Sequence, residues 1–183
     1  MGTMASSDRS VIPGADRLGD GDPIKGKRIA LVANQTSLTR DLGPTAERIA
    51  ALIGGGAVKA ILSPEHGYYG VAVDGERVPH TKDERFDATI YSLYGDVCKP
   101  TDEMLEGIET IVYDLQDVGS RFYTYVTTMK LCIEAAAEKG LGFVVLDRPD
   151  PINGILTEGP VLEEELSSFV GSVGAPVRYG LTP

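Results

Sequence analysis

The chain has 183 residues, 42% of them hydrophobic and 24% charged, which is enough for one globular domain with a sizeable core. A net charge of −10 and scattered Lys and Arg residues argue against a nucleic-acid partner, since phosphate binding needs clustered positive charge. The sequence has no apolar run near the ~20 residues of a membrane span, and residues 1–26 lack the apolar segment of a secretory signal.

Residues 1–10 are polar and are predicted to form a disordered leader, because "MGTMASS" resembles the remnant of an expression tag. The domain is predicted over residues 11–183. A signal removed with the natural leader would make the protein periplasmic or secreted; without one it would be cytoplasmic. Cys98 and Cys132 fit no metal or redox spacing, so we expect reduced structural thiols.

The first third of the domain predicts strand, helix and strand in turn. "KRIALVA" (27–33) has the length and composition of a buried strand. Pro44 can occupy the first position of a helix, whose apolar stripe runs to the glycines that start at Gly54. "AVKAIL" (57–62) is the second predicted strand.

Residues 66–88 carry glycines, charges and Pro79 with little periodicity, and are predicted to cross the surface as a long loop. "ATIYSLYG" (88–95) predicts a short strand. Pro100 then precedes two acidic residues, a pattern typical of a helix start, so a helix is expected from about Asp102.

The last part of the domain predicts strand, helix, strand and an irregular tail. "TIVYDLQ" (110–116) and "GFVVLD" (142–147) are the two strands, and residues 148–183 are rich in Pro and Gly. Between the strands, residues 121–139 have apolar residues at helical spacing, and we assign Phe122 and Met129 to the core. The apolar positions are Phe122, Val126, Met129, Ile133 and Ala137.

Strands that alternate with helices predict an α/β fold: a Rossmann-like three-layer domain with a mostly parallel sheet and helices on both faces. Neither the glycine-rich dinucleotide fingerprint nor the phosphate-binding loop motif occurs, so no nucleotide cofactor is expected.

Polar side chains follow four of the predicted strands, and in a parallel sheet such residues meet at one edge, where ligands bind. Carboxylates at that edge could act as the acid and base of a glycosidase. Arginine and amide groups suit a sugar acid, and Glu, His and Asp together could equally bind a divalent metal. The residues concerned are Asn34, Gln35 and Thr36; Ser63, Glu65 and His66; Asp114, Gln116, Asp117 and Arg121; and Asp147 and Arg148.

Each cluster also has a structural explanation. Asp147 and Arg148 could form an ion pair, Asn34 and Thr36 could simply make a turn, and Asp117 could cap the following helix. The convergence of all four clusters nevertheless favours a binding cleft.

The order of seven motifs resembles the exo-β-N-acetylmuramidase family of NamZ or YbbC-like glycoside hydrolases, also labelled DUF1343. The motifs are "VANQTS", "SPEHG", "YSLYG", "KPTDEML", "DLQDVGSRFYTYVTTM", "VLDRPDPING" and "EGPVL", and the likeness runs from about Val11 to Thr182. It implies a bacterial enzyme of peptidoglycan turnover that releases N-acetylmuramic acid from the non-reducing end of cell-wall fragments. We expect no cofactor and no metal. It also implies a C-terminal domain that this chain lacks, so the fragment alone is expected to be weakly active or inactive.

The resemblance assigns site residues by motif. Glu65 is the expected catalytic acid, beside His66, and Asp117 or Glu158 is the expected second carboxylate. Tyr179 stands where the family pattern leads us to expect histidine. The expected substrate-binding residues are Asn34, Gln35, Asp114, Gln116, Arg121, Tyr123, Asp147, Arg148 and Asn153.

Two alternatives stay open at this point. One is a peptidoglycan- or carbohydrate-binding domain without turnover. The other is a metal-dependent hydrolase that would use Glu65, His66, Asp114 and Asp117. Some motif residues could also be purely structural. Asn153 could be only a turn residue, and Tyr123 and Tyr125 could be ordinary helix residues.

Overall fold

The structure is a computed structural model that describes residues 11–19, 21–71 and 80–183. The predicted leader, residues 1–10, and Pro79 lie outside these ranges. The helices are α1 (Gly14–Arg17), α2 (Thr45–Ile53) and α3 (Thr124–Lys139). The strands are β1 (Ile29–Ala33), β2 (Val58–Ser63), β3 (Thr81–Asp83), β4 (Ala88–Ser92), β5 (Thr110–Asp114) and β6 (Gly142–Val145).

The described strands form a single sheet in the order β3-β4-β2-β1-β5-β6. Only the edge strand β3 runs antiparallel to its neighbour; the other pairings are parallel. Every residue of the interior strands β1 and β5 is buried, as expected for strands covered on both faces. The prediction of a mostly parallel α/β sheet is therefore confirmed.

A β-bulge at Lys59 decides which side chains of β2 face each layer. Ile29 of β1 pairs with Val58 and Ala30 pairs with Ala60, so the exposed Lys59 is an extra residue. Consequently Val58 packs in the core on the α2 side of the sheet, while Ala60 packs in the core on the α3 side.

The two cores give the domain its three layers. One core joins the sheet to α1 and α2 through residues such as Ala15 and Ile49. The other joins it to α3 and to residues 101–108 through residues such as Leu105 and Cys132. Among the described residues, no helix is both long and apolar enough to cross a membrane.

The helix expected from Asp102 is wrong, because residues 102–107 form turns. Leu105 donates to the carbonyl of Thr101 at 3.2 Å, but Gly107 adopts a left-handed φ of 69° that ends this single turn. The six residues between Pro100 and Gly107 are too few to propagate a helix. The predicted loop over residues 66–88 likewise missed β3, a short edge strand with two exposed residues.

The predicted helix over 121–139 exists as α3, but its buried face was assigned wrongly in part. Phe122 is 59% exposed and precedes the helix, so its assignment to the core is wrong. Met129 is partly buried against the core. The face that packs on the sheet carries small and polar residues that hydrophobicity alone does not identify: Tyr125, Thr128, Cys132, Ala135 and Ala136.

Gly140 ends α3 in a left-handed conformation (φ 65°, ψ 30°), and a Cβ there would meet nothing within 4 Å. We predict that Gly140→Ala lowers the free energy of unfolding by about 1 kcal/mol through backbone strain alone. Gly140→Asn is the matched control and should lose less, since Asn tolerates this conformation. Urea denaturation measures both, and an Ala variant as stable as the parent would contradict this explanation.

Candidate active site

The parallel strands β2, β1, β5 and β6 lie side by side and point the same way, so the residues that follow them share one edge of the sheet. Glu65 follows β2, Asn34 follows β1, Asp117 follows β5, and Asp147 follows β6. The sequence-based expectation that the four polar clusters lie at one edge is therefore confirmed.

Glu65 is fixed by a hydrogen bond from the start of α3. Ser63 ends β2, the buried Pro64 turns the chain, and Glu65 follows half-buried. The hydroxyl of Thr124, the first residue of α3, donates to Oε2 of Glu65 at 3.0 Å. The carboxylate thus lies at the end of the helix where unpaired N–H groups and the macrodipole attract negative charge.

Tyr125 is buried and directly follows Thr124, the residue that bonds to Glu65. Nδ2 of Asn34 donates to the Tyr125 hydroxyl at 2.6 Å, and the ring of Tyr123 packs edge-on against that of Tyr125 at 4.6 Å. Burial raises the pKa of Tyr125, and the neighbouring Tyr123 and the charge of Glu65 raise it further, so the phenol stays neutral. The side chain of Asn34 also accepts from the N–H and hydroxyl of Thr36, which confirms the turn as one role of Asn34.

The loop after Glu65 is built from left-handed residues, with φ 71° at the half-buried His66 and 69° at Gly70. The exposed Gln35 packs on Gly70 so closely that a Cβ there would lie 2.4 Å from its side-chain amide carbon. Gln35 and the loop border a cavity of about 190 Å³ that Tyr68 and Tyr69 also line. Amide and aromatic groups around an open cavity suit a sugar ring.

Asp114 and Arg148 form a two-pronged ion pair where β5 and β6 end. Nε and Nη2 of Arg148 donate to the two oxygens of Asp114 at 2.7 and 2.9 Å, and the side chains are 9% and 0% exposed. Nη2 also donates to the carbonyl of Leu38 at 2.9 Å. The ion pair suggested between Asp147 and Arg148 is therefore wrong, because Arg148 bonds to Asp114 while Asp147 is exposed.

Asp117 lies in a separate cluster beyond β5 and is only 3% exposed. Its Oδ2 accepts from the N–H of Gly119 at 2.7 Å and from the hydroxyl of Tyr179. Burial raises the pKa of Asp117, against the hydrogen bonds from Tyr179 and Gly119, which lower it. Asp117 does not cap α3, whose N-cap residue Tyr123 makes no side-chain capping bond, so that suggested role is wrong.

Glu158 pairs with Arg178, a residue that also pairs with Ser120 shortly before α3. Its Oε2 accepts from Nη1 of Arg178 at 2.7 Å, and Arg178 pairs in isolated bridges with both Glu158 and Ser120. The Glu158 side chain is 65% exposed. Of the expected second carboxylates, Glu158 is accessible and Asp117 is buried.

Three other predicted site residues, Arg121, Gln116 and Asn153, form hydrogen bonds with backbone groups at this edge. Nη1 of Arg121 donates to the carbonyls of Pro160 and Ala175 at 2.8 and 2.5 Å. Nε2 of Gln116 donates to the carbonyls of Asp117 and Pro149, at 2.7 and 3.0 Å. Asn153 has a left-handed φ of 93° and accepts from the N–H of Ile155, the geometry of a turn.

The polar edge thus contains two centres, one around Glu65 after β2 and one around Asp117 after β5, and the Asp114–Arg148 pair lies on the β5–β6 side. Within the described ranges, no group of three or more His, Cys, Asp or Glu residues is placed to hold a metal ion, and both oxygens of Asp114 are bonded to Arg148. Sequence reasoning missed Thr124, whose only signal was its place between two tyrosines at a helix start.

Comparison with known proteins places the chain in one group. Residues 29–183 match the family described as exo-beta-N-acetylmuramidase NamZ, N-terminal. Peptidoglycan beta-N-acetylmuramidase NamZ of Bacillus subtilis (strain 168) is 44% identical over 161 residues, which cover 87% of this chain and 38% of that protein. The chain therefore spans well under half of the length of this relative.

Two solved structures, both of DUF1343 family proteins from Bacteroides fragilis NCTC 9343, share the fold. One has a TM-score of 0.82 and 38% identity, covering 93% of this chain and 43% of its own. The other has a TM-score of 0.76 and 33% identity, covering 94% and 44%. The arrangement of strands and helices around the polar edge is thus shared with solved family members.

The buried Asp114–Arg148 ion pair allows us to predict how a substitution of Arg148 changes the free energy of unfolding. Arg148→Met should lower the free energy of unfolding by about 3–5 kcal/mol, because it leaves Asp114 charged and buried without a partner. The matched control is Arg28→Met, whose ion pair with Glu109 has side chains 54% and 33% exposed and should contribute about 1 kcal/mol or less. Equal losses in guanidinium denaturation of the two variants would contradict the central role of the buried pair.

Proposed function

Because the chain belongs to the family of NamZ N-terminal domains, we propose that it carries the catalytic carboxylates of an exo-β-N-acetylmuramidase. Such an enzyme is a glycoside hydrolase that releases N-acetylmuramic acid from the non-reducing end of peptidoglycan fragments. The observation that supports this most directly is Glu65, a half-buried carboxyl group that Thr124 orients at the ligand-binding edge of the sheet.

Glu65 is proposed as the general acid. The Thr124 hydroxyl fixes one oxygen of its carboxyl group, so the group presents a defined face to the cleft. In glycoside hydrolysis, such an acid protonates the leaving oxygen while positive charge develops on the sugar ring. Tyr125, held by Asn34, stays a neutral phenol beside Glu65 and so adds no negative charge to the site.

Glu158 is proposed as the second carboxylate in preference to Asp117. A group that activates water or faces the oxocarbenium-like ring must be reached by water or by substrate. Glu158 meets this requirement, since its side chain is 65% exposed, and Arg178 steadies it near the start of α3. Asp117 is buried beneath its hydrogen-bond donors.

Sugar recognition is assigned to the exposed part of the edge, around Gln35 and the cavity beside Tyr69. Asn34 acts through Tyr125, because its amide is bonded to that hydroxyl and to Thr36. Arg121 and Arg148, which we expected to bind the sugar's carboxylate, are proposed instead to hold the loops that frame the cleft.

We predict that Glu65→Gln lowers kcat/KM on a muramic acid disaccharide by about 10²–10⁴-fold, the usual contribution of a general acid. The loss should be much smaller on the 4-nitrophenyl glycoside of N-acetylmuramic acid, because nitrophenolate leaves without a proton. Steady-state assays of both substrates measure this, with the intact gene product that contains this chain and with the chain alone.

Glu158→Gln is the matched comparison and should reduce the rate on both substrates, because its proposed role is independent of the leaving group. Full activity of Glu65→Gln on the disaccharide would remove Glu65 from the acid role. Binding of muropeptides in calorimetry, without any product by mass spectrometry from the intact gene product, would instead favour a binding domain without turnover.

A further inference from the structure

Two carboxylates outside the Glu65 centre meet at one glycine. The N–H of Gly119 donates to Oδ2 of Asp117 at 2.7 Å. A Cβ on the same glycine would lie 2.5 and 2.6 Å from the two oxygens of Asp150. Gly119 has a left-handed φ of 75°, and its lack of a side chain is what lets Asp150 approach. Asp117 and Asp150 also line the same small cavity, together with Arg148.

Each carboxylate keeps one oxygen buried without a hydrogen-bond partner. Oδ2 of Asp117 accepts from Gly119 and Tyr179, but its Oδ1 has no partner. Oδ1 of Asp150 accepts from the N–H of Ile152 at 2.9 Å, but its Oδ2 has no partner. Buried polar atoms in native proteins are almost always bonded, so two such oxygens in one cluster require an explanation.

No cation among the described residues pairs with either group. Arg148 lines the cavity, but it forms its ion pair with Asp114 and its remaining bond with the carbonyl of Leu38. Tyr179 donates a hydrogen bond without bringing positive charge. Asp117, 3% exposed, would therefore be a buried anion without a cationic partner, beside the half-buried anion of Asp150. Proteins avoid such a buried charge by taking up a proton.

We propose that Asp117 and Asp150 together hold one proton, carried on Oδ1 of Asp117, so that Asp117 is a neutral carboxylic acid in the folded protein. The proton removes one of two like charges and converts the unpartnered oxygen of Asp117 into a donor. Oδ2 of Asp150, unpartnered in the same cluster, is an acceptor of suitable chemistry. Asp150 is thus a positioning residue, since its negative charge keeps the proton on Asp117.

The other titratable groups around Asp117 agree with this assignment. Burial raises the pKa of Asp117, the hydrogen bonds from Tyr179 and Gly119 lower it, and the charge of Asp150 raises it; the net direction is upward. The pKa values of Tyr113 and Tyr179, which face Asp117, are also raised, first by burial, so neither phenol ionises near neutral pH. Asp147 and Arg148 complete the charged groups that line the cavity.

What the protonated Asp117 means for catalysis rests on the proposed function. If the domain acts as a muramidase, a protonated and buried Asp117 is not the group that activates water, and that role falls to Glu158. The neutral acid also removes negative charge from the edge that is proposed to bind an anionic sugar acid. The protonation state itself can be measured without any substrate.

The test is infrared difference spectroscopy of the unliganded chain against Asp117→Asn at pH 7. The asparagine keeps an oxygen for the donors Gly119 and Tyr179, so the variant should fold. We expect a carboxylic acid C=O band in the parent that is missing in the variant. In the parent this band should disappear as the pH rises through the raised pKa of Asp117.

Asp150→Asn tests the role of the second carboxylate, because the amide keeps the acceptor for Ile152 and removes only the charge. The midpoint at which the band disappears should fall by about one pH unit or more. Glu165→Gln, the same charge change at an exposed position, should leave the midpoint unchanged. A parent spectrum with no such band at pH 7, or a midpoint unaffected by Asp150→Asn, would overturn the proposal.

The pH dependence of the free energy of unfolding tests the same proposal independently on the parent chain. The folded-state pKa of Asp117 is raised, so its contribution to the free energy of unfolding is fully present below about 3.9, the ordinary aspartate pKa. This contribution should be lost as the pH rises through the folded-state pKa, and the loss should be missing in Asp117→Asn. Parallel pH profiles of stability for the two proteins would contradict a protonated Asp117.

Discussion

The polar edge of this domain depends on the buried ion pair of Asp114 and Arg148. Asp114 ends the buried strand β5, Arg148 follows β6, and the guanidinium also binds the carbonyl of Leu38 in the loop after β1. One pair therefore joins the chain segments that follow β1, β5 and β6 at the polar edge. A buried pair gives little net stability compared with apolar packing, but breaking it is costly, so it fixes which loops lie together. The candidate active site depends on that arrangement.

Around this pair, the edge divides into an accessible centre and a buried one. Thr124 orients the half-buried Glu65, and Tyr125 supports it as a neutral phenol. The buried Asp117 and the half-buried Asp150 instead pack against Gly119, and Tyr179 donates a hydrogen bond to Asp117. Carboxylates of one site can thus hold different protonation states because their surroundings differ in burial and in nearby charge. Accessibility, more than membership of a motif, separates the proposed catalytic groups from those that position them.

Much of the fold could be predicted because apolar runs of strand length alternate with helical patterns along the chain. Five of the six strands in the described part of the chain, and its two longer helices, lie where these patterns occur. Strand β3 could not be predicted, since an edge strand with two exposed polar residues has no periodicity to detect. The face of α3 was partly misassigned because its sheet-facing positions include Thr128 and Ala135, while Phe122 is exposed. Pairwise contacts such as Thr124 with Glu65, 59 residues apart, are set by packing of whole elements and are invisible in sequence order.

The central claim is that Glu65 delivers the proton to the glycosidic oxygen of a terminal muramic acid. The most direct measurement is a crystal structure of the Glu65→Gln variant of the intact gene product with an uncleaved muramic acid disaccharide. The account predicts that the residue 65 side chain lies within about 2.6–3.2 Å of the glycosidic oxygen. It also predicts that Glu158 faces the sugar ring and that Asp117 makes no contact with it. A glycosidic oxygen in contact with Asp117, or a sugar bound away from the carboxyl edge of the sheet, would contradict the account.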